Sequence, residues 1–105
     1  MTLFLMFARH SPENCPGFNE KAAKAYKALF DNVEELLKKH GIRQVGGWMV
    51  PPEHLAVAVY DAPSLEAFQK VSMEPEILAM SEFSTNEYKI AISFDEMEQM
   101  LQRPK

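Results

Sequence analysis

His10, Cys15 and His54 are the residues of this chain best equipped for chemistry. His10 and Cys15 lie in RHSPENCPGFNE, residues 9–20, a polar and turn-rich stretch that also holds Pro12 and Pro16. His54 ends a second turn, Pro51-Pro52-Glu53-His54. An imidazole titrates near neutrality, with an unperturbed pKa of about 6.5, so His10 is the natural proton shuttle. Cys15 precedes Pro16, a favoured first residue of a helix. A thiol at a helix N-terminus is favoured as the nucleophilic thiolate, more so beside Arg9 or a protonated His10. His10 and Cys15 are therefore the expected catalytic residues, and His54 a ligand-binding neighbour. The same three side chains form a borderline-soft donor set for zinc or copper, which a carboxylate would complete. Against that, their spacing matches no metal-ligand motif, and no CxxC or HExxH string is present. The third role is scaffold: the prolines stiffen the loop, Asn14 caps a turn, Cys15 packs as a small hydrophobe and the histidines bond to backbone.

The hydrophobic pattern shows which elements would position these groups. Residues 3–8, LFLMFA, are an unbroken apolar run. With no basic leader before it and no small-residue cleavage site after it, the run reads as a strand and not as a signal peptide. From 18 to 40 the period is helical: Ala22, Tyr26, Leu29, Phe30, Val33, Leu36 and Leu37 recur at steps of three and four. Glu20 near the start, Lys38 and Lys39 near the end and Gly41 just beyond suit the helix dipole and cap. Residues 42–50 read as a strand interrupted by Gly46-Gly47, a bulge signal, and residues 55–60, LAVAVY, as a second continuously apolar strand. Ser64 is an N-cap for a helix containing Leu65, Phe68 and Val71. Pro75 opens another short helix with Ile77, Met80 and Phe83 inward. Residues 87–94 are the last strand, and Asp95 with Glu98 matches a capping box for a terminal helix.

This order predicts an α+β, ferredoxin-like βαββαβ fold: a four-stranded antiparallel sheet of order 4-1-3-2, helices on one face and a short C-terminal helix. The two continuously apolar strands would be central, and the polar segments 43–44 and 87–89 would be the edges. In this topology the first two strands run parallel. His10, Glu13, Cys15, Glu53, His54, Glu82, Asn86 and Glu87 then gather at one end of the sheet, with His10 and His54 within about 10 Å, a reach set by strand spacing and side-chain length. His40 falls at the other end. His10 shares a strand face with Phe4, Met6 and Ala8, so its imidazole caps an apolar column. Ala8, Ala56 and Ala58 are small enough to leave room for a ligand between sheet and helices. Phe4, Met6, Ala8 and Trp48 are the expected ligand-binding residues, with Trp48 alternatively covering a dimer seam.

Composition narrows the classes. At 105 residues one domain, 1–105, is expected. The net charge of −4 comes with no basic stripe, which argues against nucleic acid and anionic membrane as partners. No apolar run approaches the roughly 20 residues of a membrane span. A single cysteine cannot form an internal disulfide, so a cytoplasmic location is expected. Phosphate-binding glycine loops and serine-nucleophile elbows are absent.

A central strand that is apolar on both faces needs cover where the helices leave it bare, and a second copy of the sheet is the economical cover. Here the chain resembles, over residues 2–95, the dimeric α+β barrel superfamily, which includes muconolactone isomerases, small cofactor-free monooxygenases and stress-responsive barrel proteins. The strings RHSPENCPxFNE, GxWxVPPEHL and FQKVSMEPE look like a small prokaryotic family of this type, but they transfer no chemistry. The resemblance implies a homodimer packed sheet to sheet. It also implies a small apolar or aromatic ligand and monooxygenase- or isomerase-like activity with no bound organic cofactor. The alternatives are a non-catalytic ligand-binding or interaction module and, third, a metal-binding protein using His10, Cys15 and His54.

Overall fold

The computed structural model describes residues 2–102. Strands β1 (Thr2–Arg9), β2 (Arg43–Val50), β3 (Leu55–Ala62) and β4 (Thr85–Ala91) form one sheet in the order β2-β3-β1-β4, the expected 4-1-3-2. Every neighbouring pair is antiparallel. Helices α1 (Glu20–Lys39), α2 (Leu65–Val71) and α3 (Pro75–Ser81) cover one face, and α4 (Phe94–Leu101) follows the last strand.

Strand alternation sorts the two faces. Phe4, Met6 and Ala8 of β1 stand opposite Tyr60, Ala58 and Ala56 of β3 on the helix side. Leu5 and Phe7 stand opposite Val59 and Val57 on the bare side, where all four are only half-buried. Two core clusters form under the helices. One joins Phe4, Ile42, Ala62, Phe68 and Val71 to Leu37. The other joins Ala22, Tyr26, Leu29 and Leu36 to Met80. Val33 and Ile77 pack against both.

Several boundaries differ from expectation for local reasons. α1 starts at Glu20 and not near Phe18, because Asn19 is the cap: its Oδ1 accepts the Ala22 N–H at 3.0 Å, and Phe18 is left exposed. Pro16 is therefore not a first helical residue, and Cys15 does not sit at the helix N-terminus; it ends a single 3-10 turn, Pro12–Asn14. Phe30, expected on the apolar face of α1, is exposed. β4 covers 85–91 and not 87–94, because it pairs along the length of β1, from Thr85 beside Arg9 to Ala91 beside Leu3. The cap of α4 is then Ser93, whose Oγ accepts the Glu96 N–H at 3.0 Å, and Asp95 lies within the first turn. Gly41 has φ 71°, a left-handed turn that lets the Ile42 N–H reach the Leu37 carbonyl at 2.9 Å and delivers Ile42 to the core.

α4 has no buried residue, and Phe94 is 92% exposed. The Cα radius of gyration is 15.7 Å, above the roughly 13 Å of a compact chain this long, in keeping with parts of the structure that pack on nothing.

Glu74, the N-cap of α3, ties that helix to the end of α1. Its Oε1 lies 3.0 Å from His40 Nε2 and 3.0 Å from Lys39 Nζ. These hydrogen bonds, His40's first, hold the carboxyl below its ordinary 4.5. A depressed carboxyl contributes stability that is fully present above the unfolded value and is lost as pH falls through the folded one. The gap in urea midpoint between wild type and Glu74→Gln should be widest near neutrality and close in acid. A gap that is constant across pH would assign the effect to something other than these pairs.

Candidate functional site

The two core clusters are distinct and are bridged by the partly buried Val33 and Ile77. Between the clusters lies a cavity of about 330 Å3 floored by Ala8, Ala56 and Ala58. Three methyl groups on adjacent central strands cannot fill the space that Leu or Phe would fill. Leu37, Phe68 and Val71 from one cluster and Tyr26, Leu29 and Met80 from the other form its walls, with Val33 and Ile77 between. The volume lies at the small end of the ~300–1,000 Å3 usual for ligand sites, enough for one or two rings.

Polar groups on this wall are few: Gln44, Tyr26, Tyr60, Ser72 and Tyr88. Burial pushes the Tyr60 phenol up to about 12, with Tyr88 adding to the shift. Burial also raises Tyr88, against hydrogen bonds from Asn86 and Ser72. It raises Tyr26 too, against a hydrogen bond from Ser84. All three phenols therefore stay protonated at neutral pH and act as hydrogen-bonding groups, not bases. Phe68 organises this region: its ring stacks on Phe4 at 4.4 Å and meets Tyr60 at 5.8 Å and Tyr88 at 5.1 Å.

The polar end of the sheet lies beside the cavity. His10 and His54 ring centroids are 5.1 Å apart, and His54 Nδ1 is 3.3 Å from His10 Nε2. The His10 N–H donates to the His54 carbonyl at 3.1 Å, which extends the β1–β3 ladder by one pair. One ligand atom each from His10, Cys15 and His54 lie within 4.8 Å of one another. Burial, then the charge of His54, lowers the His10 pKa, so His10 is neutral at neutral pH. Glu13, Glu53, Glu82 and Glu87 are exposed, and among the described residues no carboxylate joins the three. His40 is at the other end, on Glu74.

The expected ligand residues fall in different places. Met6 and Ala8 line the cavity. Phe4 is 1% exposed and sits in the core beneath Phe68, away from the wall. His10 is a neighbour of the cavity and not part of its wall; its ring centroid is 6.2 Å from that of Tyr26, which is. Trp48 belongs to the wall at the β2 edge, but it pairs with Val57 on the bare face and its ring lies over Gly46, where a Cβ would come within 2.6 Å of it. Gln44, Tyr60, Ser72 and Tyr88 are site residues the sequence reading missed. Their signal was alternation: Tyr60 is two residues beyond Ala58, and Tyr88 stands opposite Met6.

The chain has a ferredoxin-like α+β fold. Among solved structures it is similar to an antibiotic biosynthesis monooxygenase-like protein of Nitrosomonas europaea, with 10% identity and a TM-score of 0.60 over 90% of this chain and 99% of the other. It is also similar to protein Atu4242 of Agrobacterium tumefaciens (22%, TM-score 0.58, 88% and 92%) and to a NIPSNAP domain protein of Burkholderia xenovorans (11%, 0.54, 90% and 97%). At these identities the likeness is one of fold. No protein-family model matches the chain, and no curated protein matches it. Among the described residues no helix is long and apolar enough to cross a membrane.

Proposed function

We propose that this protein is a homodimer that binds a small, flat, largely apolar molecule in the alanine-floored cavity. The observation that carries this is the cavity itself: apolar walls, a few neutral hydrogen-bonding groups, and a volume that matches an aromatic compound of one or two rings. The fold neighbours, one of them monooxygenase-like, support a reading in which that compound is an oxygenase substrate handled without an organic cofactor. In such chemistry the protein orients and desolvates the substrate, and Tyr60 and Tyr88 would hydrogen-bond its oxygens. His10 would take up a proton from beside the cavity, relayed by Tyr26.

One observation favours binding without turnover. No group on the wall ionises near neutrality, so a base must act from outside it. The dimer is supported by two unpartnered apolar surfaces, the bare sheet face around Leu5, Phe7, Val57 and Val59 and the exposed side of α4.

The test is binding of naphthol, followed by its fluorescence, to wild type and to Ala58→Leu. The isobutyl side chain that replaces the methyl group occupies the cavity floor. Wild type should saturate, and Ala58→Leu should bind at least about tenfold more weakly, a loss near 1.4 kcal/mol, with the same circular dichroism. Equal binding by both would remove the cavity as the ligand site.

A further inference from the structure

Of the His10–Cys15–His54 cluster the cavity reading uses His10 alone, as a proton acceptor, and ligand binding in the cavity does not depend on the three together. We propose that His10 Nε2, His54 Nδ1 and Cys15 Sγ bind one transition-metal ion of the zinc class, with a water or exogenous ligand in the fourth position. Two nitrogens bound tetrahedrally to zinc at about 2.0–2.1 Å stand about 3.3–3.4 Å apart. The two imidazole nitrogens here are 3.3 Å apart. A zinc-bound thiolate at about 2.3 Å stands about 3.6 Å from each nitrogen. Sγ lies within 4.8 Å of one ring nitrogen of each histidine, and rotation of the half-buried Cys15 side chain brings it toward its place. A hydrogen bond between the two imidazoles accounts for their separation but makes no use of the thiol.

The backbone around the three donors is fixed before any ion arrives. His10 and His54 are joined by the 3.1 Å ladder bond. The Cys15 N–H donates to the Pro12 carbonyl, and the Cys15 carbonyl accepts from Phe18 and Asn19, both at 2.9 Å. His54 has φ 51° and ψ 44°, the one non-glycine residue at positive φ among those described. Holding an imidazole in the left-handed region costs energy that glycine would avoid, and such positions concentrate at ligand clamps. The donor set, one thiolate and two imidazoles, suits a borderline-soft ion and not magnesium or calcium. Binding displaces the thiol proton and any proton held between the rings.

Chelator-stripped, reduced protein is titrated with zinc by calorimetry and with cobalt(II) by absorption. One zinc per chain at micromolar or tighter affinity and a thiolate-to-cobalt charge-transfer band are expected. Cys15→Ser should abolish the band and weaken zinc at least about 100-fold, beyond the 10–100-fold loss typical of an outer-shell partner. His54→Gly keeps the left-handed turn, so its unfolding midpoint in metal-free protein should be equal or higher while zinc binding weakens as much. Failure of wild type to bind zinc at micromolar concentration overturns the proposal. So does zinc binding by Cys15→Ser or His54→Gly at wild-type affinity, which would place the ion on other groups.

Discussion

Replacing Phe68 with alanine should lower the unfolding free energy by about 3–5 kcal/mol, the range for truncating a buried aromatic ring. Phe68 is 6% exposed and touches aromatic rings from three strands: Phe4 of β1, Tyr60 of β3 and Tyr88 of β4. Each such ring pair contributes about 0.5–1.5 kcal/mol beyond area burial. The site cannot collapse well, because the alanine-floored cavity already adjoins it and its remaining neighbours are on strands held in register. The void left by the ring would merge with that cavity. A loss of this size is a large fraction of the roughly 5–15 kcal/mol that holds a domain together. Urea unfolding at one fixed protein concentration measures it, since association shifts apparent stability. Phe18→Ala, at an exposed position, is the control and should stay within about 0.5 kcal/mol of wild type. A Phe68→Ala cost under 1.5 kcal/mol, with a wild-type slope, would mean that α2 repacks freely on the sheet.

Val59→Glu should convert the protein from dimer to monomer, weakening self-association at least about 100-fold. Val59 lies opposite Leu5 on the bare face of the sheet and beside Gly46 on the other neighbour. In a two-fold interface built from this face, one substitution introduces two carboxylates. Each would be desolvated among Leu5, Phe7 and Val57, while the cations of that face, Lys89 and Arg43, are already paired with Glu87 and Asp61, at a cost of several kcal/mol. The side chain points away from the helices, so helical circular dichroism should be kept. Sedimentation velocity across a concentration series decides the matter. Wild type that sediments as a monomer at all concentrations would refute the sheet-to-sheet dimer, and a Val59→Glu dimer would move the interface elsewhere, with the exposed Phe94–Met97–Leu101 side of α4 the next surface to test.

The topology was legible because it rests on two segments, LFLMFA and LAVAVY, whose continuous apolarity leaves them no place but the centre of the sheet. The meeting of His10 and His54 follows from the same fact, since both end those central strands. Caps were less legible. Asp95–Glu98 and Ser93–Glu96 have the same spacing, and only the end of β4 at Ala91 selects the second. Trp48 shows a different limit. A straight strand would put Gln44, Gly46 and Trp48 on one face. The bulge between Gln44 and Gly46 instead sets Gln44, Gly47 and Met49 toward the helices and turns Trp48 to the bare side. The presence of a bulge was readable from Gly46-Gly47; which residue it absorbed was not. The cavity was readable as a possibility from the alanines, but its walls come from both helical clusters, and their placement is set by packing between residues distant in sequence.

Ala8, Ala56 and Ala58 have a consequence for how this protein can change over generations. Any alanine codon becomes valine, threonine or serine through one base substitution. At a packed position an added methyl group costs about 1–3 kcal/mol, but these three side chains face open volume, which absorbs it. A gene copy can thus narrow the chamber, or place a hydroxyl on its floor, one nucleotide at a time. None of those steps touches the ring cluster around Phe68 or the ladder that holds His10 to His54. The chamber is the part of the molecule that mutation can retune most cheaply, so duplicated genes of this chain should diverge first in the compounds they accept.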